Sequence, residues 1–178
     1  VVKRILDAVG ASGDNSSRMA DALVSANMSG VDTHGVFHLA RYVQAVMDGK
    51  IDANARPSIQ SETANTALVD GKWTFGQVTA KFATEVAVRK AKERDIAIVG
   101  TIRAEHIGRL GEYAELAAAE GVVCIVCSAG YSLGHRAAAP YGGKEGLLST
   151  NPIAMGFPTG EEPSMISDFA TTSMANSK

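Results

Sequence analysis

Segments with helical and strand-like spacing of apolar residues alternate along most of this sequence. Met19, Ala22, Leu23 and Ala26 recur at the spacing of one helix face, and Gly30 follows as a stop signal. Short β-branched runs bounded by glycines indicate strands. The helices are predicted at residues 1–30, 35–48, 76–94 and 110–120, and the strands at residues 58–63, 66–69, 96–99 and 121–127. This order predicts a mixed α/β or α+β protein without internal repeats.

A change of pattern near residue 50 divides the chain into two predicted domains. Residues 1–50 form an N-terminal helical part, and residues 51–178 form a sheet-containing body on which that part packs. Within the helical part a short polar connector, Val31 to His34, joins the two helices. Asp32 and Thr33 of this connector are both suited to capping the second helix.

The composition excludes several classes of function. Hydrophobic residues make up 46% of the 178 residues and charged residues 20%, which leaves room for a core and argues against disorder. A net charge of −2 and a pI near 6.1 do not favour nucleic-acid binding, and no apolar run approaches the roughly 20 residues that span a bilayer. No signal-peptide pattern follows Val1, so the sequence predicts a cytoplasmic protein.

Cys124 and Cys127 have the Cys-x-x-Cys spacing found in redox and zinc sites. They also belong to an apolar, β-branched run that indicates a buried strand. Residues three apart on a strand point to opposite faces, so the two sulfurs could not share a metal or a disulfide. No second cysteine pair is present to complete a zinc site. We therefore predict that both cysteines are core residues.

Four histidines are candidates for proton transfer or metal binding: His34, His38, His106 and His135. His34 and His38 stand four apart, the spacing of many zinc pairs. A hydrolytic zinc site needs a glutamate beside the first histidine, and Gly35 occupies that place. His34 in its connector and His106 in a second polar loop are each placed to exchange a proton near neutral pH. A metal-dependent hydrolase built on His34 and His38 is the alternative.

No complete phosphate-binding motif is present. The Gly-x-Gly-x-x-Gly fingerprint and the Walker loop are absent, and Gly108-Arg109-Leu110-Gly111 is only a fragment of such a loop. It stands between a predicted strand and a predicted helix, where it is either a phosphate site or a plain turn. Asp168, before a hydroxyl-rich run, suits either helix capping or contact with a cofactor.

Five short motifs occur in a fixed order over nearly the whole chain. They are Gly30-Val31-Asp32-Thr33-His34-Gly35-Val36, His106-Ile107-Gly108 with Tyr113-Ala114, Pro140-Tyr141-Gly142-Gly143, Thr150-Asn151-Pro152 and Asp168-Phe169-Ala170-Thr171-Thr172. Together they resemble the malate/L-lactate dehydrogenase family, of the second, non-Rossmann type. That family also includes dehydrogenases of sulfolactate and ureidoglycolate and reductases of cyclic imino acids.

The resemblance implies a dehydrogenase or reductase that uses NAD or NADP. A hydride would pass between the nicotinamide and a small 2-hydroxy acid, or its 2-keto or imino counterpart. His34 would exchange the substrate proton, with Thr33 orienting it and Lys178 as relay partner, and Thr150 would contact the substrate. The cofactor would be lined by His106, Ile107, Gly108, Arg109 and Leu110, and by Asp168, Phe169 and Ala170.

The resemblance also implies an architecture and an assembly. The fold would be a helical N-terminal part on a mixed, largely antiparallel sheet with helices, and the protein would be a homodimer. Family chains are roughly twice this length, so residues 51–178 would form an incomplete cofactor domain. An inactive dimerisation fragment is therefore a further alternative.

Two points in the resemblance leave the chemistry open. In some members the residue that matches His106 is the proposed acid–base group, so it competes with His34 for that role. Many members have an arginine at the position of His38, suited to binding a carboxylate. Arg41, one turn further along, is the candidate substitute. The choice of substrate and the choice between NAD and NADP are not determined by the sequence.

Overall fold

The longer of the two N-terminal helices begins and ends at residues with clear capping roles. The computed structural model describes residues 1–130, 138–161 and 163–172, and it has α1 at Val2–Ala8 and α2 at Gly13–Met28. The N-cap of α2 is Ser12, whose hydroxyl accepts from the Asn15 N–H. At the other end Gly30 has a positive φ of 73°. Its N–H donates to the Asn27 carbonyl and the Val31 N–H to the Ala26 carbonyl, a Schellman ending.

The second predicted helix is shorter than expected. Two turns of 3₁₀-helix, Asp32–His34 and Val36–His38, precede α3, Leu39–Met47. Gly35 separates the turns with an extended backbone, φ −91° and ψ −151°. The prediction of a continuous helix over 35–48 is therefore wrong, because the side chain of Asn27 accepts from the Val36 N–H and holds the chain outside the helical path. Neither Asp32 nor Thr33 caps a helix through its side chain.

The core of the N-terminal part joins all three helices to the segment after them. Its buried members are Val2, Leu6, Met19, Leu23, Leu39, Tyr42, Ile51, Ala53 and Phe75. Burying a large apolar side chain contributes about 1.5–3 kcal/mol. The predicted stripe of α2 is buried as expected, whereas Met47 at the end of α3 is 70% exposed. The helix ends at Met47, so this side chain projects beyond the core.

A three-stranded sheet follows in the order β1-β2-β3, with bounds Ser58–Glu62, Thr66–Asp70 and Ile98–Ile102. β1 and β2 are antiparallel, and β2 and β3 are parallel, with α4, Gly76–Arg94, as the crossover between them. The helix has the predicted bounds. The third strand begins two residues later than predicted, because the Asn65 amide binds the Arg94 and Ile96 carbonyls and pairing starts only at Ile98.

α4 is the longest helix of the described residues. On its solvent side Lys81 and Glu85 form an i,i+4 ion pair. None of the helices in the described part of the chain is long and apolar enough to cross a membrane.

Two compact units divide the chain, Val1–Glu112 and Tyr113–Lys178. The helix α5, Gly111–Ala119, begins at the end of the first unit, and the second unit has β4, Cys124–Cys127, β5, Ile153–Phe157, and β6, Met165–Phe169. These strands form an antiparallel sheet in the order β4-β5-β6. The mixed α/β class is confirmed. Its strands lie in two small sheets, and three of the four strand pairings described are antiparallel.

The two cysteines have different environments. Burial alternates along β4, with Cys124 half-buried and Cys127 exposed. They lie on opposite faces as expected and both thiols are free, but the prediction that both are core residues is wrong for Cys127. An apolar run in sequence predicts a strand without telling whether both of its faces are covered. Burial raises the pKa of the Cys124 thiol.

Candidate active site

Three of the four histidines meet in the first unit. His34 and His38 come from the two 3₁₀ turns, and His106 from the loop between β3 and α5. The ring centroid of His106 lies 5.6 Å from that of His34 and 5.5 Å from that of His38, and His34 and His38 are 6.3 Å apart. The structure therefore brings together the two histidines that the sequence could only present as competitors. His135 lies outside the described residues.

The turn that carries His34 is held by one side chain of α2. Asn27 donates through Nδ2 to Oδ1 of Asp32 at 2.5 Å, and its own Oδ1 accepts from the Val36 N–H at 2.8 Å. A side chain at Gly35 would collide with this amide, which explains the glycine. Asn27 is not among the predicted site residues, although its place one turn before the helix-stopping Gly30 is a usable signal.

Thr33 is the neighbour of His34 in the geometry as well as in the sequence. Its hydroxyl lies 3.1 Å from Nδ1 of His34, within hydrogen-bonding distance. A hydroxyl in this position can fix the tautomer and orientation of the imidazole. Arg41, on the exposed side of α3, acts electrostatically on both His38 and His106, so its positive charge is near the cluster.

The position of His106 depends on α3 and α4. The Tyr42 hydroxyl lies 2.8 Å from Nδ1 of His106, and Nε2 of Gln77 donates to that hydroxyl at 2.6 Å. Gly76, the first residue of α4, packs directly on the backbone carbonyls of Glu105 and His106, where no side chain fits. Nothing in the sequence marks Tyr42 and Gln77 as neighbours of His106, because their burial and their contacts depend on this packing.

The same loop is fixed at its beginning by an ion pair with the end of β2. Arg103 donates through Nε to Oδ1 of Asp70 at 2.9 Å and through a second nitrogen to the other oxygen. These hydrogen bonds, together with one from the Lys72 N–H, lower the pKa of the Asp70 carboxyl. The loop from Arg103 to His106 is thus attached at both ends to regular elements, which gives His106 a defined position.

Burial controls the protonation of the cluster. It lowers the pKa of His106 to about 3, with electrostatic interactions with His34, Arg41 and His38 adding to the effect. Burial and Arg41 also lower the pKa of His38, although a hydrogen bond with the Thr33 backbone opposes the shift. Burial raises the pKa of Tyr42 to about 12. At neutral pH, His106 is therefore a neutral imidazole and Tyr42 a neutral phenol.

The lowered pKa of His106 predicts that acid reduces the stability of the folded protein. Between about pH 6.5 and pH 3 the unfolded chain protonates His106 while the folded chain does not, so the free energy of unfolding falls as the pH falls. We expect wild type to lose up to about 1.4 kcal/mol per pH unit more than His106→Asn in this window. Urea unfolding at pH 7 and pH 5 measures the difference, and parallel behaviour of the two proteins would contradict the assignment.

The histidine cluster is poorly arranged for a metal ion. The rings of His34 and His106 are stacked, with 24° between their planes, so their nitrogen lone pairs do not converge. Nδ1 of His106 is already bonded to Tyr42. In the described part of the chain, no group of three or more histidine, cysteine, aspartate or glutamate residues could hold a metal.

The second unit brings together two of the other predicted segments. Thr171 donates through both its N–H and its hydroxyl to the Thr150 carbonyl, each at 3.1 Å, so residues 168–170 end beside Thr150. Asp168 lies in β6 and pairs with Ala154 of β5. Because it is a strand residue, the helix-capping alternative is wrong. Phe169 is 45% exposed. Lys178 lies outside the described residues.

The predicted cofactor segment of the first unit precedes a helix. Gly108 has a positive φ of 77° and packs against the side chain of Gln77, while Arg109 and Leu110 are buried. α5 begins at the next residue, and the N-terminal end of a helix favours a phosphate. The arginine and the helix N-terminus are donors of the kind that a dinucleotide pyrophosphate needs.

Comparison with known proteins identifies the family. The model of the malate/L-lactate dehydrogenase family matches residues 1–178. Malate dehydrogenase of Pyrococcus abyssi is 37% identical over 171 residues, which are 96% of this chain and 46% of the relative. L-sulfolactate dehydrogenase of Methanothermobacter thermautotrophicus is 32% identical over 178 residues, 100% of this chain and 51% of the relative. The chain belongs to the malate/L-lactate dehydrogenase family.

Solved structures agree with this membership. The structure of malate dehydrogenase from Entamoeba histolytica matches with a TM-score of 0.92 at 33% identity, over 99% of this chain and 48% of that one. The family resemblance inferred from the five motifs is thus confirmed, and the metal-dependent hydrolase is not supported. The chain spans about half the length of the curated relatives it matches.

Proposed function

We propose that this chain is part of an NAD(P)-dependent oxidoreductase of small 2-hydroxy acids or their 2-keto or imino counterparts. The observation that carries the proposal is the Thr33–His34 pair beside His106 in a member of a dehydrogenase family. The Thr33 hydroxyl lies 3.1 Å from Nδ1 of His34, and the ring centroids of His34 and His106 are 5.6 Å apart. A proton-transfer group and a second imidazole in one cluster suit a reaction that removes a proton from a hydroxyl as a hydride leaves the adjacent carbon. We propose a homodimer as the working assembly.

In this proposal the residues around His34 handle the substrate. His34 exchanges the proton on the substrate oxygen or nitrogen, with Thr33 setting the orientation of its ring. Arg41 and His38 bind the carboxylate, and the positive charge of Arg41 near the cluster supports that role. Thr150 is a further proposed substrate contact, and Lys178 is the proposed relay partner.

The cofactor would be held by backbone and side-chain groups of the two predicted segments. The donor set that precedes α5, residues 106–110, fits a nucleotide phosphate, and residues 168–170 are the second proposed segment. The bound nicotinamide supplies the hydride acceptor or donor. Because the acidic position of a Rossmann fold has no counterpart here, the preference between NAD and NADP is left to measurement.

A cofactor-oxidation assay tests the function. The full-length protein is mixed with NADH or NADPH and one of pyruvate, oxaloacetate, sulfopyruvate or a cyclic imine, and the absorbance of the reduced cofactor is followed. We expect turnover with at least one acid. No turnover with any of them, together with no cofactor binding by fluorescence, would exclude the dehydrogenase and favour the inactive fragment.

A further inference from the structure

A chain of three hydrogen-bonding side chains joins the histidine cluster to two helices of the first unit. Nε2 of Gln77 in α4 lies 2.6 Å from the Tyr42 hydroxyl in α3, and that hydroxyl lies 2.8 Å from Nδ1 of His106. Gln77 and Tyr42 are almost fully buried. Neither residue has a part in the function proposed above, so this arrangement needs its own explanation.

The direction of each hydrogen bond follows from the protons available. The amide nitrogen of Gln77 can only donate, so the oxygen of Tyr42 accepts from it. Tyr42 then has one proton to give, that of its own hydroxyl, and the acceptor in reach is Nδ1 of His106. A ring nitrogen that accepts carries no proton, so the single proton of the neutral imidazole lies on Nε2.

We propose that Tyr42, held by Gln77, is a positioning residue that keeps His106 in the tautomer protonated on Nε2 alone. In this form His106 is a neutral hydrogen-bond donor, suited to the carbonyl oxygen of a 2-keto acid. The one lone pair of the ring faces Tyr42, so His106 cannot take up the proton that the reaction releases. The inference rests on the proposed function, and it assigns proton exchange to His34.

The surroundings act in the same direction as the hydrogen bonds. Burial, with electrostatic interactions with His34, Arg41 and His38, lowers the pKa of His106 to about 3, which keeps the ring neutral. Burial raises the pKa of Tyr42 to about 12, although the Gln77 hydrogen bond and Arg41 oppose the shift and Glu105 adds to it. The phenol of Tyr42 therefore stays protonated, and its O–H group remains available as a hydrogen-bond donor.

NMR of the protein labelled with nitrogen-15 in its histidines reads the tautomer directly. Long-range correlations between ring nitrogens and ring protons show which nitrogen is protonated, and the His106 signals are identified by their absence in His106→Asn. At pH 7 we expect a bare Nδ1 and a protonated Nε2. A protonated Nδ1 in wild type would overturn the proposal, because Tyr42 would then accept from His106 and donate to a flipped Gln77 amide.

Two substitutions test the cause of the tautomer. Tyr42→Phe keeps the buried ring and removes the hydroxyl, so we expect Nδ1 of His106 to gain a proton in part of the population. In Gln77→Glu the carboxylate accepts a hydrogen bond from the Tyr42 hydroxyl. The Tyr42 oxygen can then only accept from His106, so we expect the proton of His106 on Nδ1. Gln60→Glu, at an exposed glutamine of β1, is the matched control and leaves the tautomer unchanged. A wild-type tautomer in both Tyr42→Phe and Gln77→Glu would contradict the role of Tyr42.

Kinetics of the full-length protein separate this inference from the function itself. We expect Tyr42→Phe to lower kcat about 10-fold with little change in KM, because the donor that it positions acts on charge that develops in the transition state. An unchanged kcat would overturn the positioning role and leave the proposed function intact. Absence of turnover in wild type, with Nε2 of His106 protonated, would overturn the function and leave the tautomer supported.

Discussion

We expect His34→Ala to lower kcat of the full-length protein by about 10²- to 10⁴-fold, the usual contribution of a general acid–base group. The Thr33 hydroxyl lies 3.1 Å from Nδ1 of His34. The two hydrogen bonds of the Asn27 side chain, to Asp32 and Val36, fix the turn that carries His34. No comparable group replaces it, since Nδ1 of His106 is engaged with Tyr42. Steady-state oxidation of the reduced cofactor measures the loss.

The controls for this substitution address both folding and assignment. His34 is only partly buried, so we expect the midpoint of thermal unfolding to change little in His34→Ala. His106→Asn retains an acceptor for Tyr42 and should lose less activity than His34→Ala. Near-normal turnover by His34→Ala, or a larger loss with His106→Asn, would transfer the acid–base role to His106.

The second large effect is expected at Gly76, where α4 meets the His106 loop. A methyl group there would collide with the backbone carbonyls of Glu105 and His106, which cannot move independently of the loop. We expect Gly76→Ala to destabilise the protein by about 1–3 kcal/mol, the usual cost of overpacking. Urea unfolding measures the change. Turnover should also fall, because the loop moves His106 away from the cluster.

Gly13 provides a matched control, because it is the first residue of α2 as Gly76 is of α4. No atom lies within 4 Å of a side chain built at Gly13, and its φ is not in the left-handed region. Gly13→Ala should therefore be neutral or stabilising by up to about 1 kcal/mol. Equal stability changes in the two variants would show that the loop packing is not what requires Gly76.

Local sequence patterns predicted the parts of the fold that depend on local rules. The bounds of α4 and the glycine ending of α2 at Gly30 follow from apolar spacing and capping geometry. The errors arose where another element intervened. Asn27 interrupts the predicted helix 35–48, and pairing with β2 shifts the third strand. Cys127 is exposed because only one face of its sheet is covered and its side chain lies on the other face.

In the candidate site, too, some features follow from the sequence and others only from the tertiary structure. The sequence by itself determined the family, through five ordered motifs, and placed His34 beside Thr33 in a connector between helices. Only the tertiary structure decided that His106 meets His34, and that Tyr42 and Gln77 form a hydrogen-bonded chain leading to it. The physical reason is range. Helical spacing and caps act within a few residues, whereas the tautomer of His106 depends on hydrogen bonds from two helices that the chain brings together only by packing.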